Sequence, residues 1–310
     1  MKSKKEYRKF VESYTPFSWE INDKEETRNI YSGQHSFEIN YQRFFHVFKK
    51  LKEIKKILKN PKIIDVGSFP GNMIKLSKYV FHDYSKYISL GLDLDEKYIQ
   101  EVKKLNVDCK NVEIDPNFPG ASETDEWRLE NFNLCLLLDT IEHLTNPTFC
   151  LDNINKSLKK GGFLLITTDN ITNFLYILKM ITKGESPNIK FILSSMFYIG
   201  NHRPHHREYS KDELIFLLNH SGFEVLSHEY FDRKQGQFFL KNKKLSRNNN
   251  FKFKSILTKP IKWLFNLVPH FRNHQIILAK KQEDIEDISR PKQTHSKKDW
   301  LNLRMKTIGY

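Results

Sequence analysis

The chain has 310 residues, a formal net charge of +14 and 39% hydrophobic residues, enough to bury a substantial core in one large domain with additions. Its three cysteines, Cys109, Cys135 and Cys150, share no C-x-x-C spacing and read as small apolar residues in or near strands and helices, from which a reducing compartment is inferred. No apolar run approaches the roughly 20 residues of a bilayer span, and Met1 to Glu6 lacks the apolar stretch of a signal peptide, so a cytoplasmic location is expected.

Taken in chain order, the first sixty residues are aromatic-rich, with Tyr14, Phe17, Trp19, Tyr31 and Phe37 ahead of an amphipathic helix marked by Phe44, Phe45, Val47, Phe48, Leu51, Ile54 and Leu58. Two readings stand: a cap over the ligand site that follows, or a packing helix. A strand at 62–66 then breaks into Gly67-Ser68-Phe69-Pro70-Gly71 just before a helical pattern beginning near Met73. Gly67 permits a sharp turn out of the strand, and Gly71 leaves room for a ligand against the main chain. The spacing is G-x-x-x-G, not the G-x-G-x-x-G that sets a helix N-terminus against a pyrophosphate. It favours a nucleoside carrying an uncharged or cationic appendage. A second strand, 87–93, ends in Asp93, where a carboxylate can accept hydrogen bonds from a ribose diol.

Further strands are expected at 110–114, 132–138 and 162–168. Between the last two, Pro147 opens and Gly161-Gly162 closes a helix with Phe149, Leu151, Ile154 and Leu158 on one face. Alternation of strand and helix from Ile63 to about Phe223 is the pattern of an α/β fold with a parallel sheet covered on both faces. Residues 171–205 interrupt it and, emerging beyond the carboxyl ends of the strands, form a candidate lid. Strands at 223–231 and 274–280 flank a basic insertion at 240–272. Within it, 251–271 reads either as a helix able to lie in a membrane interface or as one packed on the sheet. Residues 282–310 form a polar tail. Residues 233 to 310 hold 19 Lys plus Arg against 5 Asp plus Glu, while the first 232 balance at 32 each. That asymmetry points to an anionic partner or to a solubilising tail.

Several of these stretches resemble a known family. Asp65 to Gly71, Gly91-Leu92-Asp93-Leu94-Asp95, Phe132 to Leu138 with Asp139-Thr140-Ile141-Glu142-His143-Leu144, and Leu158 to Thr168 resemble the motifs of class I S-adenosylmethionine-dependent methyltransferases, over roughly 63–281. His206-Arg207-Glu208-Tyr209-Ser210, then Glu213-Leu214 and Ser221-Gly222-Phe223, are similar to a late block in members from glycan and cell-surface gene clusters. Phe69 departs from the family's usual glycine. The resemblance implies a Rossmann-like, seven-stranded, mostly parallel sheet in a domain spanning 61–281, with a helical cap at 1–60. It implies S-adenosyl-L-methionine as cofactor, with Asp65 and Gly67 at the methionine end, Gly71 at the close turn, Asp93 on the ribose and Asp115 near the adenine. Ser68, Leu94 and Asp139 complete that set.

Methyl transfer from a sulfonium is an in-line displacement, and a hydroxyl acceptor must also lose a proton. His143, just past the fourth strand, is the first candidate for the base, with contact to cofactor or helix capping as its other reading. His206 is the second catalytic candidate. Arg203, Arg207 and Tyr209 are candidates for the substrate, since Arg offers a bidentate fork to phosphate or carboxylate. His202, His205 and His206 cluster, but without C-x-x-C or H-E-x-x-H spacing no metal is expected. The expected function is O-methylation of a small-molecule or glycan-type acceptor, including a lipid-linked one, with peripheral contact to an anionic membrane through 251–271. An RNA or other nucleic-acid methyltransferase is the first alternative, and a non-catalytic scaffold the second.

Overall fold

The computed structural model describes residues 2–15, 17, 41–91, 94–115, 127–185, 205–232 and 267–287. Helix α1 (Lys2–Glu12) and helix α2 (Tyr41–Lys55) precede strand β1 (Lys62–Val66). Helix α3 (Asn72–Val80), β2 (Lys86–Gly91), helix α4 (Glu96–Lys103), β3 (Asp108–Asn111) and β4 (Phe132–Leu138) follow. Next come a short 3-10 turn at Ile141–His143, helix α5 (Pro147–Ser157), β5 (Leu158–Asp169), helix α6 (Phe174–Lys183), helix α7 (Lys211–His220), β6 (Phe223–Phe231) and β7 (His274–Lys281).

The seven strands form one sheet in the order β3-β2-β1-β4-β5-β7-β6, parallel except that β7 runs antiparallel to both of its neighbours. The expected α/β fold is therefore the observed one. Because both faces are covered, the central strands are apolar over most of their length, with Asp65 of β1 and Thr167 and Thr168 of β5 as buried polar exceptions. Alternation still sorts their side chains: Leu134, Leu136 and Leu138 join a core with α2 and α3, while Cys135 and Leu137 join a second core with α5 and α7. Strand order reverses direction between β1 and β4, so the crevice beyond their carboxyl ends is the natural ligand site of such a sheet.

The amphipathic helix expected near 44–58 is α2, which buries Phe44, Phe45, Val47, Phe48, Leu51 and Ile54. Tyr7 of α1 meets Tyr41, Phe45 and Phe48 edge-on, so the first helix is fastened by aromatic contacts. Asn146 caps α5 by accepting from the Phe149 amide, and Pro147 occupies its first turn. That helix ends one residue earlier than its apolar spacing suggests. Leu158 turns to extended backbone and pairs with Phe132, so it opens β5, with Gly161-Gly162 inside the strand.

The described part of the lid insertion is α6, capped by Asn173, which exposes Leu175, Leu178, Met180 and Ile181. Trp19, Tyr31 and Phe37, the rest of the lid, nearly all of the 251–271 segment and the tail beyond 287 lie outside the described residues. No helix among the described residues is long and apolar enough to cross a membrane.

Candidate active site

At the carboxyl end of β1, Gly67 takes a left-handed φ of 72° while its amide still donates to Leu90 O at 2.8 Å. A Cβ at this position would lie 2.4 Å from Thr140 Oγ1. Thr140 also hydrogen-bonds Val66 O at 3.2 Å, so the loop after β4 is seated directly on the bare turn after β1. Gly71, with φ 94°, precedes α3, and a Cβ there would come within 2.9 Å of the Phe17 ring. Two glycines whose geometry rejects a side chain thus line the sheet's switch point. The space a Cβ would need is taken by Thr140 and by Phe17, so packing and left-handed φ both require glycine here, and the crevice at the switch point is where a nucleoside-type cofactor would lie.

The neighbouring residues are placed as follows. Asp65 is buried and accepts from Tyr87 OH at 3.0 Å; burial pushes its pKa up to about 7, partly opposed by that hydrogen bond. The Ser68 hydroxyl is engaged behind the turn, by Ser89 and by Tyr98 OH at 2.7 Å. Leu94 donates its amide to Asn111 Oδ1 at 2.7 Å. Asp115 accepts from the Thr145 amide and hydroxyl and from the Asn146 amide, at 2.7 to 3.0 Å, tying the end of the third strand's loop to the start of α5. Asp93 and Arg203 lie outside the described residues.

A second group of side chains gathers at the carboxyl ends of β4 and β5. Asp139 has a left-handed φ of 50°. Its carboxylate meets Arg43 Nε of α2 at 2.8 Å, Thr167 Oγ1 at 2.6 Å and His274 Nε2 at 2.9 Å. The other ring nitrogen of His274, Nδ1, lies 2.7 Å from Asp169 Oδ1. Burial alone would lower the pKa of His274, but the two carboxylates flanking its ring push it up to about 9. Glu142 is buried and accepts from Thr168 Oγ1 at 2.8 Å; burial, then repulsion from Asp139 and Asp169, raises its pKa to about 7.

His143 stands beside His205, ring centroids 4.6 Å apart and nearly perpendicular. Burial would lower the pKa of His205, yet Glu208, Glu142 and Asp169 together raise it. His206 and Arg207 donate their amides to Glu142 O, which brings the late block against the 3-10 turn. The Arg207 side chain instead pairs with Glu213 and covers the Tyr209 ring, and Tyr209 is buried in the second core. Of the residues expected to meet donor or acceptor, the structure brings Asp139 and His143 into this group, with the His206 backbone at its edge. Arg43, Asp169, His274 and Tyr176 were not singled out by sequence reasoning. Each lies in a different segment, and no spacing links them.

A sheet in this order, with glycines baring the turn after its first strand at the switch point, defines a class I S-adenosylmethionine-dependent methyltransferase. The family described as "Methyltransferase domain" matches residues 39–228, more than half of the chain, and the chain belongs to it. It is 28% identical over 159 residues to the ubiquinone biosynthesis O-methyltransferase of Pelagibacter ubique, covering 47% of this chain and 61% of that protein. The chain thus spans about three fifths of that relative's length. It is 23% identical over 167 residues to the carboxy-S-adenosyl-L-methionine synthase of Staphylococcus epidermidis, covering 51% of this chain and 67% of that protein. A solved S-adenosylmethionine-dependent methyltransferase from Archaeoglobus fulgidus aligns with a TM-score of 0.47 at 16% identity, over 79% of this chain and 98% of that one.

Proposed function

We propose that the chain transfers a methyl group from S-adenosylmethionine to a hydroxyl of a small-molecule or glycan-type acceptor. The observation that carries this reading is the imidazole of His143, set in an acid-rich group three residues beyond the threonine that rests on the Gly67 turn. The bound donor supplies an electrophilic methyl carbon on a cationic sulfur. Asp65 and Gly67 hold the donor's methionine end, with Gly71 at the close turn and Asp93 as the carboxylate for the ribose.

An alcohol is a poor nucleophile until its proton leaves, and a neutral imidazole near pH 7 suits the removal. His143 takes that proton from the acceptor oxygen. Glu142, Asp169 and Glu208 surround the adjoining His205 and favour a positive charge on this side of the site. Oxygen as the accepting atom is supported by the name of the Pelagibacter relative. A glycan-type acceptor rests on the likeness of the His206 to Ser210 block.

The test offers methyl-labelled donor to phenolic and sugar hydroxyl acceptors beside bulk RNA. Label is expected in a hydroxyl acceptor, and His143→Ala should lower turnover about 100-fold, the usual scale of general-base loss, with donor affinity nearly unchanged. Label found only in RNA, or equal loss of turnover and donor affinity, would overturn the reading.

A further inference from the structure

We propose that Asp169, His205 and Glu208 form a divalent-metal site, suited to Zn²⁺ or Mn²⁺, at the carboxyl end of β5. The three come from the end of the strand and from the segment leading into α7, and one ligand atom from each lies within 4.8 Å of the others. His205 Nδ1 stands 3.7 Å from Asp169 Oδ2 and 3.7 Å from Glu208 Oε1. Those separations are too long for N–H···O hydrogen bonds. They approach the donor-to-donor edge of a tetrahedral shell, about 3.4 Å for metal–ligand bonds of about 2.1 Å.

Glu208 is an independent pointer. The residue is only 2% exposed, yet its Oε2 has no hydrogen-bond partner, and no Lys or Arg of the described residues lies within ion-pair distance of it. A buried carboxylate oxygen left without a donor or cation is costly, and a metal ion would relieve it. The surroundings also resemble the outer shell that orients ligands. His274 Nδ1 holds Asp169 Oδ1 at 2.7 Å while Oδ2 stands near His205, and Tyr176 OH donates at 2.9 Å to Glu208 Oε1, the same oxygen that stands 3.7 Å from His205, so both carboxylates are held in orientation.

One imidazole and two carboxylates make a mixed nitrogen and oxygen set, which selects first-row divalent ions over the all-oxygen shells of Mg²⁺ or Ca²⁺. Three protein ligands leave a fourth position for water or a ligand oxygen. Glu142 and His143 can form an alternative triad with the same His205. One oxygen of each glutamate is already engaged, Glu142 Oε2 by Thr168 and Glu208 Oε1 by Tyr176, and the assignment favours the Asp169 side because Glu208 alone of the two keeps a second buried oxygen with no hydrogen-bond partner.

The proposal does not depend on methyl transfer, and its test measures the metal alone. Full-length, tag-free chain stripped with EDTA is titrated calorimetrically with ZnCl₂ and with MnCl₂. One ion per chain is expected, with a rise in melting temperature on addition of ZnCl₂. His205→Ala and Glu208→Gln should each weaken binding by about 100-fold or more, since even outer-shell changes cost 10- to 100-fold. Exposed His220→Ala should leave it unchanged, and Asp169→Asn replaces either site variant whose circular dichroism shows misfolding. Absence of saturable binding, or full affinity in both site variants, overturns the proposal. Loss in His143→Ala with retention in Glu208→Gln would assign the ion to the Glu142 triad and likewise overturn it.

Discussion

The two ends of β5 bury similar polar chemistry and handle it in opposite ways. At the amino end Lys281, 3% exposed, donates from Nζ to Asn155 O at 2.7 Å and Leu158 O at 2.9 Å, closing the carbonyl end of α5. Asn155 gives both amide hydrogens to Ser221 O and Glu283 O, and its Oδ1 accepts from the Ile285 amide. Every group in that knot is matched. At the carboxyl end, Asp139, Glu142, Asp169 and Glu208 converge, Glu142, His205 and His274 are all shifted upward, and one carboxylate oxygen of Glu208 has no donor. Matched burial builds architecture, whereas unrelieved charge held in place by a rigid sheet marks where chemistry or a ligand is expected.

The largest effect should come from breaking the matched end. Lys281→Met removes the side-chain donor from Leu158 O and one of two donors from Asn155 O, which keeps the Leu158 amide, and should cost about 2 kcal/mol, at about 1 to 3 kcal/mol per buried group that loses its partner. Urea unfolding would measure it, while calorimetry with S-adenosylhomocysteine should show unchanged donor affinity. A comparable loss of donor affinity would mean that the two ends are not separable.

The carboxyl end should announce itself through pH. His274 binds its proton more tightly folded, at about 9, than its ordinary 6.5, so its contribution to stability is complete below pH 6.5 and is lost as pH rises through 9. Glu142, raised from 4.5 to about 7, and Asp65, raised from 3.8 to about 7, act in the same direction at lower pH. Their folded forms favour the proton, so stability falls as pH rises through 7. Urea midpoints should therefore decline from pH 5 to 9.5, and His274→Gln should flatten the upper part of the curve. A midpoint that climbs between pH 7 and 9 would contradict the buried Asp139–His274–Asp169 arrangement.

Glu142→Gln sharpens the contrast further. A neutral amide of the same shape keeps an oxygen for Thr168 and removes a charge that burial and two neighbouring carboxylates disfavour. Stability at pH 8 should be equal or up to about 1 kcal/mol higher, while turnover should fall about 10-fold, the pattern of a residue retained for function at the expense of stability. Lower stability together with full turnover would assign Glu142 to architecture.

These contrasts explain what the sequence could and could not disclose. Strand alternation, the Gly67 and Gly71 turn and the Pro147 helix start are local signals, and they appear close to where their spacing puts them, except that the third strand, expected at 110–114, runs Asp108–Asn111. The acid and imidazole group is not local. Arg43, Asp139, Asp169, Glu208 and His274 come from separate segments, and His274 looks in sequence like the polar end of an apolar strand. It reaches the site only because β7 runs antiparallel, which puts its first residue opposite Asp169, the last residue of β5. A parallel β7 would have left that imidazole at the matched end. Nothing in residue spacing distinguishes the two directions, so the strongest electrostatic feature of the molecule depends on one strand's orientation.

The smallest effect concerns the joint between the two behaviours. Ser210 caps α7 by accepting from the Glu213 amide, while Glu213 accepts in return from the Ser210 amide and also pairs with Arg207. Ser210 sits two residues beyond Glu208, so this capping box anchors the segment carrying His205 and Glu208 to a helix of the second core. Ser210→Ala removes one cap hydrogen bond and should cost about 1 kcal/mol in urea unfolding. If the cap only ends a helix, Zn²⁺ affinity should survive within about 3-fold, because a change of that size alters affinity less than about 0.7 kcal/mol. A drop near that of His205→Ala would show that the cap positions the ligands, and the boundary between matched and unmatched burial would then run through Ser210 itself.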